Sequence, residues 1–354
     1  MKVLFVEYNI AGHHHIYLHN LVNSTAYDSA VCIRQRDEVY ECPVHYSDLI
    51  PEKNLKTYLA WLDDVRKAAD TEHADIVMFM EMDGLMKYFG IGLNKLKKYR
   101  IVLVHHHYWP GFAREIAYRC IDRHADATVV HTAENRKCLE ACRVGNVHHF
   151  EYPAFGKQHD NVPLHTPRKL LAFGATRYDK GLDILLEALK GMRASFHLEI
   201  VGHPGRFDKA FIAEHTQSYA DRVSTDMRFV NEEEKDAYFA GTDIIVLPYR
   251  REFDGASGPL AEGVNQRKMI VGPAHGSLGR IIAENHLGYT FESENPESLR
   301  KVLEAAVKED YVYDGKAEAY RDSLSPDYMR NAYEALFRRI ASGGYRKGIA
   351  EGRR

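Results

Sequence analysis

The chain has 354 residues, 45% hydrophobic and 27% charged, the balance of a globular protein rather than a disordered one. At roughly 100–200 residues per domain, that length predicts two domains. Lys and Arg number 47 against 50 Asp and Glu, a net charge of −3, which argues against a dedicated nucleic-acid binder. No apolar run approaches the ~18 residues of a membrane span. The first apolar run, residues 3–6, stops at Glu7, too short for the core of a secretory signal, so a cytoplasmic location is expected. Five cysteines, an odd number with no CxxC pair, read as reduced thiols.

In chain order, residues 3–6 read as a buried strand, followed by a turn at Gly12 and a helical pattern over 15–22. Residues 76–80, 101–104 and 127–130 are further continuous apolar runs. Continuous rather than alternating strands imply burial on both faces, as in a parallel sheet covered by helices. Residues 151–168, with Pro153, Pro163 and Pro167 in a polar stretch, read as a linker. The pattern then restarts, with strands at 169–173, 197–201, 243–247 and 269–271 and an amphipathic helix at 182–189. The fold class is therefore α/β: two Rossmann-like, doubly wound domains, expected to face each other across a cleft. Ligands of such sheets bind beyond the carboxyl ends of the strands.

Three strand ends in the second half carry polar, glycine-bearing segments. In PYRREFDGASGPLAEGVNQRKMIV, a helix is predicted to start near Pro259, capped by Ser257 or Gly258. Its first amides, at Leu260 and Ala261, would then point outward at the positive end of the helix dipole, a place that suits phosphate. Glu262, one turn in, is placed to accept hydrogen bonds from sugar hydroxyls, or simply to complement the dipole. In FGATRYDKG, Arg177 and Lys180 lie three apart after a strand and suit a diphosphate, Arg as a planar fork and Lys as a point charge. A solvated pair beside Asp179 is the plainer alternative. The turn at His203-Pro204-Gly205 is a third candidate contact.

The first half has histidines at 13–15 and 105–107. Neighbouring histidines rarely converge on one ion, and HExxH is absent, so no metal is expected. Tyr108 and Trp109 read either as sugar-stacking or as packing residues. There is no GxGxxG after Val6, no GxxxxGK[ST] and no GxSxG, which argues against dehydrogenase, P-loop NTPase and serine-hydrolase chemistry.

These segments resemble retaining glycosyltransferases of the GT-B fold, in family 4, most strongly over residues 169–307. The family's acid-x7-acid loop matches DGASGPLAE, with Asp254 where Glu is usual and Glu262 as the acid that binds the donor ribose. The resemblance implies that the backbone of 255–260, including Ser257, Gly258, Pro259 and Leu260, meets the sugar and diphosphate. It implies that Arg177 and Lys180 neutralise the leaving diphosphate and that the backbone near Phe229 holds the base. Gly12 matches a glycine loop near the donor phosphates, and His105 the active-site histidine. Arg267 and Met269 depart from the family's usual Gly and Pro.

The activity so implied is metal-independent transfer of a sugar from a nucleotide-diphosphate donor, UDP before GDP, to a saccharide or lipid-linked acceptor with retention. No cofactor and no nucleic-acid partner is implied. The division expected is an acceptor-side domain over 1–160, a donor domain over 161–326, a helix at about 327–340 returning to the first domain, and a loose tail over 341–354. Lys95, Lys97, Lys98 and Arg100 read either as a solvated basic face or as peripheral contact with the inner membrane face. A nucleotide-sugar epimerase or hydrolase of the same fold, and a non-catalytic nucleotide-sugar binder, are the rival readings.

Overall fold

The computed structural model describes residues 1–9, 14–24, 26–34, 39–159, 163–253 and 255–343. Gly12 and Asp254 lie outside the described residues. The chain divides into two compact units, one of residues 1–151 with 326–354 and the other of residues 152–325.

The first unit holds seven parallel strands among its described residues: β1 (Lys2–Glu7), β2 (Asp28–Ile33), β3 (Val44–Tyr46), β4 (Ile76–Phe79), β5 (Arg100–His105), β6 (Ala127–Val130) and β7 (Val147–His149). Their order is β3-β2-β1-β4-β5-β6-β7. Strand order therefore reverses between β1 and β4, and the ends of these two strands form the switch-point edge where such sheets bind ligands. Leu4, Val77 and Leu103 are fully buried beneath helix Leu55–Thr71, whose inward face carries Trp61, Leu62 and Val65. That helix starts where Asn54 accepts the Thr57 N–H at 2.9 Å. The last helix, Pro326–Ala341, belongs to this unit and buries Tyr333, Leu336, Phe337 and Ile340. The Tyr333 and Tyr17 hydroxyls meet at 2.8 Å, and Phe337 lies edge-on to Tyr27 at 5.2 Å.

The second unit holds six parallel strands among its described residues: β8 (Arg168–Phe173), β9 (Phe196–Val201), β10 (Val223–Asp226), β11 (Ile244–Val246), β12 (Met269–Pro273) and β13 (Gly288–Phe291). The order β10-β9-β8-β11-β12-β13 repeats the doubly wound pattern, with its reversal between β8 and β11. Helix Leu182–Lys190 lays Leu185 and Leu189 on Leu170, Ile244 and Val246.

The continuous apolar runs all became central strands. The missed strands β2, β3, β7, β10 and β13 carry polar residues and most stand at or near sheet edges, where one face or one side needs no apolar neighbour. No helix among the described residues is long and apolar enough to cross a membrane.

Candidate functional site

The switch point of the second unit brings two expected segments together. Residues 177–181 follow β8, and residues 248–257 follow β11. Gly181, at φ 62°, lies so close to the second segment that a Cβ would stand 2.1 Å from the Pro248 carbonyl oxygen. Only glycine fits both that conformation and that approach. A small pocket here is lined by Gly174, Thr176, Lys180, Pro248 and Tyr249.

Lys180 is half-buried. Its Nζ lies 3.7 Å from the centre of the Tyr249 ring and 4.0 Å from that of Phe253. The ring faces attract the cation, but burial and then the neighbouring Arg177 charge pull its pKa down to about 7. Arg177 forks onto Asp179, Nε to Oδ1 at 2.9 Å and Nη2 to Oδ2 at 2.5 Å. Burial pushes the Asp179 carboxyl up, but the hydrogen bond and charge of Arg177 outweigh it and hold it low. Both expected phosphate cations are thus occupied, one by aromatic rings and one by a carboxylate that a phosphate would have to displace or share.

Arg250 was not foreseen. Its guanidinium lies over Tyr178 at 4.0 Å, its Nη2 donates to Asp183 at 2.5 Å, and its N–H donates to the Asp179 carbonyl at 2.9 Å. It pins the 177–183 loop to the segment after β11. The signal was a basic residue directly after a strand, inside a segment already singled out.

The predicted helix runs Gly258–Asn265, with Ser257 as its cap and Pro259 in its first turn. One expectation is corrected. Leu260 N–H donates to Ser257 Oγ at 3.3 Å and Ala261 N–H to the Ser257 carbonyl at 3.1 Å, so neither is a free donor. The cap that starts the helix takes the amides that an anion would need. Tyr249 and Ser257 hydroxyls lie 3.3 Å apart, tying the Lys180 ring cage to this cap.

Glu262 is buried, and its carboxylate is already in use. Oε1 accepts from Phe155 N–H at 3.2 Å and Lys235 Nζ at 2.8 Å, and Oε2 accepts from Gly156 N–H at 3.1 Å. A carboxylate offers about four acceptor positions, so about one remains for a further hydroxyl. Phe229, 68% exposed, sits between β10 and helix Glu232–Ala240. Gly205 donates its N–H to Thr176 Oγ1 at 2.9 Å, which fixes the turn against the loop after β8. Arg267 adopts φ 53°, a left-handed conformation easier for glycine, and pairs with Glu318 at 2.6 Å.

In the first unit, His105 ends β5 and is buried. Its Nδ1 lies 3.0 Å from Asp83 Oδ1, while Asp83 Oδ2 accepts the His106 and His107 amides at 3.0 Å each. Burial alone would raise the Asp83 carboxyl, but these partners hold it below its usual range. An ionised carboxylate only accepts, so His105 carries a proton on Nδ1, and in the neutral ring Nε2 is the acceptor. Asp83 escaped the sequence reading because nothing local marks a lone Asp four residues past a strand.

A second unforeseen group stands at the β1/β4 switch point. Glu7, His14 and Glu81 bring ligand-capable atoms within 4.8 Å of one another. Burial lifts the Glu81 pKa to about 7, a rise that His14 partly offsets and Glu7 adds to. His14 is pulled down by burial yet raised overall by its 3.1 Å hydrogen bond to Glu7. The basic stretch before β5 is basic in sequence only. Lys95 pairs with Asp63 at 2.8 Å, Arg100 with Asp126 at 3.0 Å, and the exposed Lys98 with Asp70, which leaves Lys97 as the cation of this stretch with no ion pair among the described residues.

Residues 167–309 match the family model described as Glycosyl transferases group 1. The matched stretch contains the second-unit site residues discussed above except Phe155, Gly156 and Glu318. The chain is 25% identical over 171 residues to glycogen synthase 1 of Bradyrhizobium diazoefficiens, which is 47% of this chain and 36% of that protein. It is 26% identical over 126 residues to the GDP-mannose:glycolipid 4-beta-D-mannosyltransferase of Xanthomonas campestris pv. campestris, 35% of this chain and 36% of that protein. Each match therefore spans little more than a third of the curated relative's own length.

Among solved structures, sucrose-phosphate synthase from Thermosynechococcus elongatus superposes with a TM-score of 0.77 at 12% identity, covering 97% of this chain and 100% of that one. Anabaena HepE in complex with UDP and glucose gives 0.72 at 12% identity, covering 95% and 99%. At that identity the likeness concerns the fold, which is GT-B.

Proposed function

We propose that the chain is a glycosyltransferase that moves a sugar from a nucleotide-diphosphate donor to a saccharide or lipid-linked acceptor with retention. The observation that carries the reading is the juxtaposition of Arg177, Lys180 and the Ser257-capped helix at the switch point of a group 1 domain. Anabaena HepE, of the same fold, was solved with UDP and with UDP-glucose, so UDP-sugars are the first donors to test. The Xanthomonas relative is named for GDP-mannose, so GDP-sugars come next.

In this reading the anomeric carbon loses its bond to the diphosphate oxygen and gains one to the acceptor oxygen. The acceptor proton passes to the departing phosphate, so no protein nucleophile is needed. Charge grows on the phosphate, and Arg177 and Lys180 stabilise it in place of a metal ion, with the dipole of the capped helix adding its field rather than free amides. Removing one such donor typically costs about 100-fold in turnover, the loss expected for Arg177→Ala.

A second reading rests on the Asp83–His105 pair. An imidazole held with Nε2 as acceptor can take the proton of an acceptor hydroxyl directly. That route serves a single displacement with inversion. Incubation with a panel of UDP- and GDP-sugars, with and without acceptor and with a chelator, decides between these. NMR of the product's anomeric centre separates retention from inversion. Acceptor-independent epimerisation, hydrolysis without transfer, or binding without turnover would each defeat the transferase reading. Loss of activity on chelation would defeat metal independence.

A further inference from the structure

A cavity of about 360 Å³ opens in the first unit beside Asp83, the partner of His105. Its size suits a small ligand. Its walls are mostly apolar, made by Met86, Phe89, Ala117 and Tyr118. Phe89 sits at φ 51°, a conformation that costs a bulky residue roughly 1–2 kcal/mol, and so holds its ring in the wall against local preference.

The polar groups of the wall have little left to offer a sugar. Asp83 already accepts three hydrogen bonds, and the Tyr118 hydroxyl takes the Trp109 N–H at 3.0 Å. Saccharide hydroxyls placed among Met86, Phe89 and Ala117 would lose water without gaining side-chain partners, at a cost of about 1–3 kcal/mol each. An apolar body would not.

The rim differs. Lys87 and Arg114 are exposed, and Arg114 lies over the Trp109 ring at 5.5 Å. Trp109 is 42% exposed, leaving a large aromatic in water at the mouth. An apolar hollow with cations and an exposed aromatic at its lip fits an amphiphile whose anionic group stays outside.

We propose that this cavity takes the hydrocarbon portion of an anionic amphiphile, with its phosphate at Lys87 and Arg114, and that the acceptor of the transfer is of this class. The inference rests on the transferase reading only for the word acceptor. The site itself requires no turnover.

The test uses octyl phosphate below its micelle threshold and follows tryptophan fluorescence of the full chain. Of the two tryptophans, Trp61 is 2% exposed, so a change reports Trp109. Saturable binding of octyl phosphate is expected, at least about tenfold tighter than that of inorganic phosphate or of octyl glucoside, a difference of about 1.4 kcal/mol. Arg114→Glu, and Ala113→Phe at the exposed mouth, should each weaken it about tenfold or more while UDP binding is unchanged. Equal binding of octyl glucoside would leave a merely greasy hollow, and equal binding of inorganic phosphate a merely cationic rim. Either result overturns the proposal, as does binding indifferent to both substitutions or the absence of saturation. Loss of UDP binding in the unsubstituted chain would instead defeat the transferase reading and leave the cavity result standing.

Discussion

Asp83→Asn is the sharpest test of how the first unit is organised. The carboxylate is 8% exposed and holds three donors at 3.0 Å, the amides of His106 and His107 and Nδ1 of His105. Asn preserves the shape, and its oxygen can keep the two amides. Its NH2 then faces His105, which must move its proton from Nδ1 to Nε2 to avoid two opposed donors. The loss of a charge-assisted hydrogen bond costs about 1.5–3 kcal/mol. Asp83→Ala instead strands all three donors, at about 1–3 kcal/mol each before water enters. Denaturant unfolding measures both losses, and ¹⁵N NMR of the imidazole reads the tautomer. The carboxyl is held low in the folded state, so its stabilisation is complete above the unfolded pKa near 4 and fades as pH falls below that. The gap between the native chain and Asp83→Asn should therefore be widest at neutral pH and shrink in acid. An Asp83→Ala loss under about 1 kcal/mol, or an unmoved tautomer in Asp83→Asn, would refute the argument.

Glu262→Gln should cost about 1.5–3 kcal/mol, the loss of a charge-assisted hydrogen bond, because Lys235 keeps its second partner Glu232 at 2.5 Å, and Lys235→Met should recover part of that in a double-mutant cycle. Additive losses in denaturant would show that the pair is not coupled. Lys180 titrates near pH 7, and a bound diphosphate should raise that value, so nucleotide binding at pH 8 should take up nearly one proton. Calorimetry in buffers of different ionisation enthalpy measures the uptake, and Lys180→Met should abolish it. In the unliganded chain the sign is the usual one for a depressed lysine: between about pH 7 and pH 10 the unfolded state holds the extra proton, and stability rises with pH. Tyr333→Phe should lower the stability of the first unit by about 1 kcal/mol through loss of its buried hydrogen bond to Tyr17, seen as a lower denaturation midpoint at constant slope.

Much of the architecture could be read from the chain because residues 3–6, 76–80 and 101–104 are apolar without alternation, which admits only a strand covered on both faces. The helix at Gly258–Asn265 was legible from Ser257 and Pro259 because capping is local chemistry. What stayed hidden depends on residues brought close by topology. The rings around Lys180 come from Tyr249 and Phe253, across the β8/β11 switch point. Glu262 meets Phe155 and Gly156, from a stretch that composition marks only as a linker. Asp83 reaches His105 because β4 and β5 lie side by side. Each is a tertiary pairing with no periodic trace.

The first unit is assembled from both ends of the chain, whereas the second is one continuous stretch. On the ribosome, residues 152–325 are complete while Phe5 and Tyr27 still await Phe337. At about 5–20 residues per second, roughly ten to forty seconds separate the synthesis of residues 1–151 from that of the helix. During that time the nascent N-terminal sheet has an uncovered greasy flank, a target for trigger-type chaperones. A truncation that removes the helix Pro326–Ala341 would make that transient state permanent.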